Sequence, residues 1–125
     1  GAGLYANSVG GAAATGLGEN IMVHNVSRRI VDFMEQGLPA NEAAEKTVQH
    51  LLKAGKRIDH MAFVALDKDG CFGAGTTRNV FEFAVMSEAL SEPSLYRVRN
   101  ETNRLSLEKG LTLVEQARSA SNRRI

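Results

Sequence analysis

The sequence predicts an α+β (α/β) fold, an antiparallel sheet with two helices on one face, and three observations lead there. A run of small residues, Gly10 to Ala14, ends in a Thr15-Gly16-Leu17-Gly18 corner. Two stretches of helical period follow, 20–36 and 40–54, separated only by Gly37-Leu38-Pro39. Three strand-like runs then come close together, at 61–66, 71–77 and 80–86. A short helix–helix connection makes antiparallel neighbours, and short strand connections make an antiparallel sheet.

Taken in order, residues 10–15 read as a buried strand feeding the corner. Residues 20–36 read as one helix, with Met22, Val23, Val26, Ile30 and Met34 in one stripe and Phe33 beside it. Arg28, Arg29, Asp32 and Glu35 fall on the other side. Gly37 suits the C-terminal cap, and Pro39 suits the start of the next helix. In 40–54 the inward set is Ala44, Val48, Leu51 and Leu52, with Glu42 and Lys46 four apart on the surface. Gly55 ends it.

Met61-Ala62-Phe63-Val64-Ala65-Leu66 reads as a strand, Asp67-Lys68-Asp69-Gly70 as a tight turn, and Cys71 to Thr77 as the returning strand. Asp67-x-Asp69-Gly70 lacks the remaining oxygen ligands of a calcium loop. In 80–86, Phe81, Phe83 and Val85 share a face, and Glu82 interrupts the other, which suggests an edge strand or a polar contact. Beyond Ser91-Glu92-Pro93 the character changes. Residues 100–119 are expected to form a third helix through Leu105, Leu111 and Val114, weakened by Gly110.

A chain of 125 residues with 43% hydrophobic content fits one domain with a core. The net charge of +1 points to neither nucleic acid nor an acidic surface. Residues 92–125 hold six arginines and one lysine against four glutamates, a net +3. They are expected to be a basic, partly helical tail. Its charges are mixed and Tyr96 is its single aromatic, so a solvated surface explains it better than RNA or membrane binding. No run of 18 apolar residues exists, and no signal peptide is visible. Cys71 is the only cysteine and is expected to be a buried, inert thiol. His24, His50 and His60 lack the spacing of a metal site, so no metal is expected.

The corner carries the chemistry. Gly16 and Gly18 permit dihedral angles that other residues resist. Thr15 places a hydroxyl beside the Gly16 N–H, and two donors aimed at one point can hold a developing oxyanion. Two other readings stand beside this one. The corner is a plain turn joining strand to helix, or it binds phosphate at the helix N-terminus with residues 16–20. Against phosphate, no Lys-Ser/Thr follows the glycines, and Glu19 sits where the anion would lie.

Gly1-Ala2-Gly3-Leu4-Tyr5-Ala6-Asn7, then Gly10 through Gly18, then a helix ending near Met34-Glu35-Gln36-Gly37, resemble the glycosylasparaginase (aspartylglucosaminidase), or type 2 asparaginase, family of N-terminal nucleophile amidohydrolases. The likeness is good over residues 1–37, fair to the hairpin near residue 77, and lost beyond about residue 90. Glu19 stands where the family often has Asp. The resemblance implies that residues 1–91 are the C-terminal part of a β-subunit-like domain, within a four-layer α/β/β/α sandwich. It implies an amidohydrolase, made by precursor self-cleavage, whose amino-terminal Thr attacks the side-chain amide of asparagine or of N4-(N-acetylglucosaminyl)-asparagine. No cofactor is implied. By resemblance, Thr15 and Gly16 form the oxyanion hole, and the Gly18 carbonyl helps to hold the substrate's α-ammonium group.

The nucleophile, and the Arg and Asp that grip the substrate, would lie upstream of Gly1. Thr47, Thr76 and Thr77 fall in helical or strand-like stretches and cannot replace it, so this polypeptide alone is expected to be inactive. The implied partners are a small-molecule substrate, an upstream α-subunit with the N-terminal part of the β-subunit, and further copies in an oligomer. A non-catalytic binding or assembly module of the same fold is the alternative. The sheet's second face needs a cover that this chain is expected to lack, so a large apolar surface is expected unless other chains are present. The family's members are lysosomal, periplasmic or cytoplasmic, which leaves the compartment open.

Overall fold

The computed structural model describes residues 1–101 and 104–110. Its first sheet has four antiparallel strands in the order β1 (Leu4–Asn7), β2 (Gly10–Gly16), β3 (Met61–Asp67) and β4 (Phe72–Thr76). Helices α1 (Gly18–His24), α2 (Val26–Glu35) and α3 (Ala40–Ala54) connect β2 to β3. A second antiparallel sheet contains β5 (Val80–Val85), β6 (Ser94–Glu101) and β7 (Arg104–Lys109). The α+β expectation holds, and the layering agrees with part of an N-terminal nucleophile hydrolase sandwich. No helix among the described residues is long and apolar enough to cross a membrane.

Strand alternation divides the first sheet into two faces. Ala12, Ala14, Met61, Phe63 and Ala65 face α2 and α3 and join the core. There they meet Val26, Ile30, Val31 and Met34 of α2, and Ala43, Ala44, Val48 and Leu51 of α3. Phe63 is 1% exposed at the centre, and burying a side chain of that size contributes roughly 2–3 kcal/mol. Small residues let the helices come close. A Cβ at Gly73 would lie 2.6 Å from the Ala40 carbonyl oxygen at the start of α3.

The single helix expected over 20–36 is two. Asn25 adopts a left-handed conformation (φ 49°), and its N–H closes α1 onto Ile21 and Met22 carbonyls while it precedes α2. Asn tolerates that conformation better than most residues. The break rotates the two halves out of phase. Val26, Ile30 and Met34 stay buried, as the periodicity predicts, but Met22 and Val23 are 65% and 57% exposed. Ile21 and Asn20 take the inward positions in α1. α3 begins after Pro39 and ends at Gly55 (φ +70°), as expected.

The β3–β4 turn is also as read, and Gly70 takes φ +85° in it. Asp67 organises it. One carboxylate oxygen accepts the Asp69 and Cys71 N–H groups, both at 3.0 Å. The other accepts the Ala40 N–H at 3.0 Å, capping α3 from across the fold. Partial burial disfavours the charged form, but these three donors outweigh it and hold the carboxyl below its ordinary range. Cys71 is half-buried rather than buried, with Sγ 3.4 Å from the Asn41 amide oxygen.

The tail departs from expectation. Residues 100–101 end β6 and residues 104–109 form β7, not a helix, while residues 102–103 and 111–119 of the expected helix lie outside the described residues. Tyr96 and Val98 point to one face of β6 and pair with Phe83 and Phe81 of β5. Arg97 and Arg99 point to the other, where they form ion pairs with Glu82 at 2.9 Å and Glu108 at 3.2 Å. A ladder with one apolar and one charged face is more favourable here than a helix carrying Gly110. β5 is an edge strand, as Glu82 suggests.

The second sheet reaches the β4 end of the first sheet's other face. Phe72 packs edge-on against Tyr96 at 5.0 Å and Phe83 at 6.1 Å, and the Asn100 amide donates to the Thr76 carbonyl at 2.9 Å. Ala62 and Thr76 are buried as a result. Towards β1 the face is open. Leu4 is 74% and Leu66 56% exposed, bordering a groove of about 570 Å³ that Ala13, Val64, Phe72 and Met86 also line. The expected apolar surface is therefore present only towards β1, and the expectation that the chain has no cover of its own for this face is corrected by the second sheet, which packs on the β4 end.

Candidate active site

β2 delivers the Thr15–Gly16 corner by outrunning its neighbour. β1 pairs with β2 as far as Leu4 opposite Ala13, and the Ala14 N–H donates to the Gly3 carbonyl at 2.9 Å. Successive amides in an antiparallel strand point to opposite edges. The Gly16 N–H therefore points to the same edge as that of Ala14, past the end of β1. On the β3 edge the Leu17 N–H donates to the His60 carbonyl at 2.8 Å.

Thr15 lies on the face that carries Ala13, away from the helices. It is exposed, and its hydroxyl has no hydrogen-bond partner among the described residues. Neither donor is thus consumed by the interior. Thr47 and Thr76, by contrast, are fully buried, and their hydroxyls donate to the Ala43 carbonyl at 2.8 Å and the Met61 carbonyl at 2.9 Å.

Gly16 is required by the backbone twice over. Its φ is +123°, and a Cβ would stand 1.7 Å from the His60 carbonyl oxygen. Gly18 is different. Its φ is not positive, and a Cβ there would meet nothing within 4 Å. The dihedral freedom expected of both glycines is used only at Gly16. Gly18 opens α1, so its carbonyl runs along the helix axis toward the amide four residues on, which leaves its second lone pair free.

The loop against the corner is held in an uncommon shape. Arg57 (φ 54°) and His60 (φ 57°) are both left-handed. The Met61 N–H donates to the Thr77 hydroxyl at 3.2 Å, fixing the start of β3. Asn20, 6% exposed, donates from Nδ2 to the Asp59 carbonyl at 3.0 Å. Sequence reading did not single out Asn20, although a polar residue at an inward helical position was the signal available.

The three histidines do not converge on one another as ligands. His24 Nε2 lies 2.8 Å from the Lys56 carbonyl. His50, on the surface of α3, is held below the ordinary imidazole range by partial desolvation and by Arg29, His24 and Lys53. Among the described residues no three His, Cys, Asp or Glu side chains are grouped to hold a metal. At the corner α1 has only seven residues and Glu19 lies in its first turn, an arrangement that does not favour a phosphate.

The sequence profile of the asparaginase family matches residues 1–94. The plant-type L-asparaginase of Pyrococcus abyssi is 36% identical over 94 residues, 74% of this chain and 30% of that protein. The plant-type L-asparaginase of Pyrococcus furiosus is 34% identical over 93 residues, with the same coverage of 74% and 30%. The N(4)-(Beta-N-acetylglucosaminyl)-L-asparaginase of Elizabethkingia miricola is 35% identical over 92 residues, 68% of this chain and 27% of that protein. The chain spans under a third of the length of these relatives. β6, from its second residue, and β7 lie beyond the matched residues. A strand–corner–helix–hairpin unit of this kind, matched over three-quarters of its length, identifies the chain as a member of the type 2 asparaginase family of N-terminal nucleophile hydrolases.

Proposed function

We propose that this chain supplies the oxyanion corner of an amidohydrolase that cleaves the side-chain amide of asparagine or of N4-(N-acetylglucosaminyl)-asparagine. The observation that carries this is the pair of uncommitted donors at residues 15 and 16. The Thr15 hydroxyl is exposed and has no partner among the described residues, and the Gly16 amide points past the end of β1. In the mechanism, a threonine hydroxyl attacks the amide carbon and the threonine's own α-amine takes the proton. The carbonyl oxygen becomes negative and is held by the Thr15 hydroxyl and the Gly16 N–H. The threonine's α-ammonium returns that proton to the amide nitrogen, the C–N bond breaks, ammonia or the glycosylamine leaves, and the acyl-enzyme that remains is hydrolysed by water to aspartate. The Gly18 carbonyl accepts a hydrogen bond from the substrate's α-ammonium, and the empty space above its Cα admits the ligand.

The nucleophile is a self-cleavage-generated N-terminal threonine supplied by residues outside this sequence, and this polypeptide by itself is inactive. The uncovered face beside Leu4 and Leu66 belongs to the rest of the sandwich, contributed by the upstream subunits. Residues 92–125 are an extension appended to that domain. The test is Thr15→Val in the full-length, processed protein, assayed for aspartate release from both substrates. Valine keeps the shape and strand preference of threonine and removes only the hydroxyl. Turnover should fall 10²–10³-fold. A folded Thr15→Val protein with wild-type turnover on both substrates rejects the role.

A further inference from the structure

We infer that Asn20 is a positioning residue for the Thr15–Gly16 corner, acting through the Asp59–His60 backbone to hold the Gly16 amide in its direction. The inference rests on the oxyanion reading above and adds a residue that acts without touching substrate.

A buried side-chain amide is costly unless it is bonded, and packing alone would be served by an apolar residue beside Ile21. Asn20 is 6% exposed and spends its Nδ2 on the Asp59 carbonyl at 3.0 Å. The next carbonyl along, that of His60, accepts the Leu17 N–H at 2.8 Å. Two successive carbonyls of one loop are thus gripped by Leu17, which caps the start of α1, and by Asn20 in its first turn. The loop needs that grip, because His60 and Arg57 sit in left-handed conformations that non-glycine residues hold only when their surroundings enforce them.

The grip reaches Gly16 by contact. The His60 carbonyl oxygen lies against the Gly16 α-carbon, so close that a Cβ there would be 1.7 Å away. Gly16 takes φ +123° to accommodate it. If the Asp59–His60 segment relaxes, the Leu17 N–H loses its acceptor and the Gly16 unit can turn back toward ordinary dihedrals. The N–H at residue 16 then swings off the point it shares with the Thr15 hydroxyl. Donors only slightly misplaced lose much of their effect on a transition state.

The experiment uses the full-length, processed protein and compares wild type with Asn20→Asp, which replaces the donor by an acceptor at nearly constant volume. Steady-state kinetics on asparagine gives kcat and KM. Hydrogen exchange by mass spectrometry follows the peptide spanning residues 14–19 and the peptides of α2 and α3. The expected result is a kcat at least tenfold lower with KM within twofold. Exchange over 14–19 should rise at least tenfold while α2 and α3 keep their protection. Unchanged exchange over 14–19 overturns the inference. So does wild-type kcat with a loosened corner, or a kcat loss that accompanies uniform loss of protection. If burial of the new carboxylate prevents folding, Asn20→Ala is read by the same criteria. If the wild-type protein hydrolyses no amide, the oxyanion reading fails, and the exchange comparison still decides whether Asn20 holds the corner.

Discussion

Replacing Gly16 by alanine tests the corner most severely. The structure imposes two separate costs there. An alanine at φ +123° occupies a region that only glycine enters freely, which costs about 1–3 kcal/mol. Its Cβ would also stand 1.7 Å from the His60 oxygen, 2.8 Å from the His60 carbonyl carbon and 3.2 Å from the Met61 α-carbon. All three are backbone atoms with no rotamer to change. The strand end must shift until the closest contact reaches at least 3.4 Å, breaking the Leu17–His60 hydrogen bond on the way. Forced overpacking of this kind costs a further 1–3 kcal/mol, roughly. Gly16→Ala should therefore lose about 2–6 kcal/mol in total by those two estimates. Urea unfolding of the full-length protein, with the slope unchanged between variants, reads this directly. A loss below about 0.5 kcal/mol, the range of an unremarkable surface substitution, would refute the reasoning.

Other outcomes follow from the same geometry. Gly18→Ala should leave stability unchanged or raise it by up to about 1 kcal/mol, because alanine favours helix and nothing lies within 4 Å. If the space is the ligand's, the same variant raises KM for asparagine, and an unchanged KM counts against Gly18 as a substrate contact. Asp67→Asn should cost about 0.5–2 kcal/mol, the range of a lost helix cap, measured by thermal or urea unfolding at pH 7. Asp67 titrates lower in the folded protein than in the unfolded chain, so the unfolded state takes up its proton first as pH falls. Its contribution is present above the ordinary value of 3.8 and disappears as pH drops through the depressed folded value. Wild type should lose stability across that window more steeply than Asp67→Asn, and parallel curves would show that the carboxylate contributes nothing through its charge.

Much of the fold was legible because its determinants are local. Gly37 closes off α2, and Pro39 and Gly55 bracket α3, by backbone chemistry that works the same way in any fold. Asp67 and Gly70 make their turn from within four residues. Glu82 marks β5 as an edge because a charge on a strand must reach solvent or a partner. The failures share a different cause. A left-handed Asn25 costs little in isolation, and only the requirement that α2 lie on β2 selects it, so periodicity ran straight through and assigned Met22 and Val23 to the core. β1 is only four residues long, too short to show a period of two, and becomes a strand because the edge of β2 offers it a partner. In the tail, Tyr96 and Val98 alternating with Arg97 and Arg99 were a readable period of two. The leucines at 105 and 111 competed with it, and the pairing with β5 decided between them.

The site divides in the same way. The types of its donors, a hydroxyl and an amide with small residues on both sides, are a property of Thr15-Gly16-Leu17-Gly18 as written, and the sequence alone led to them. Where those donors point is not. The Gly16 amide points past β1 because the last bond across that edge, from the Ala14 N–H to the Gly3 carbonyl, lies two residues before it, and the Thr15 hydroxyl is exposed because the second sheet reaches only the β4 end of that face. The positive φ at Gly16 comes from a carbonyl 44 positions away in the chain. Covalent chemistry travels with the residue, but direction and accessibility depend on which distant backbone lies alongside, and that is decided only when the strands pair.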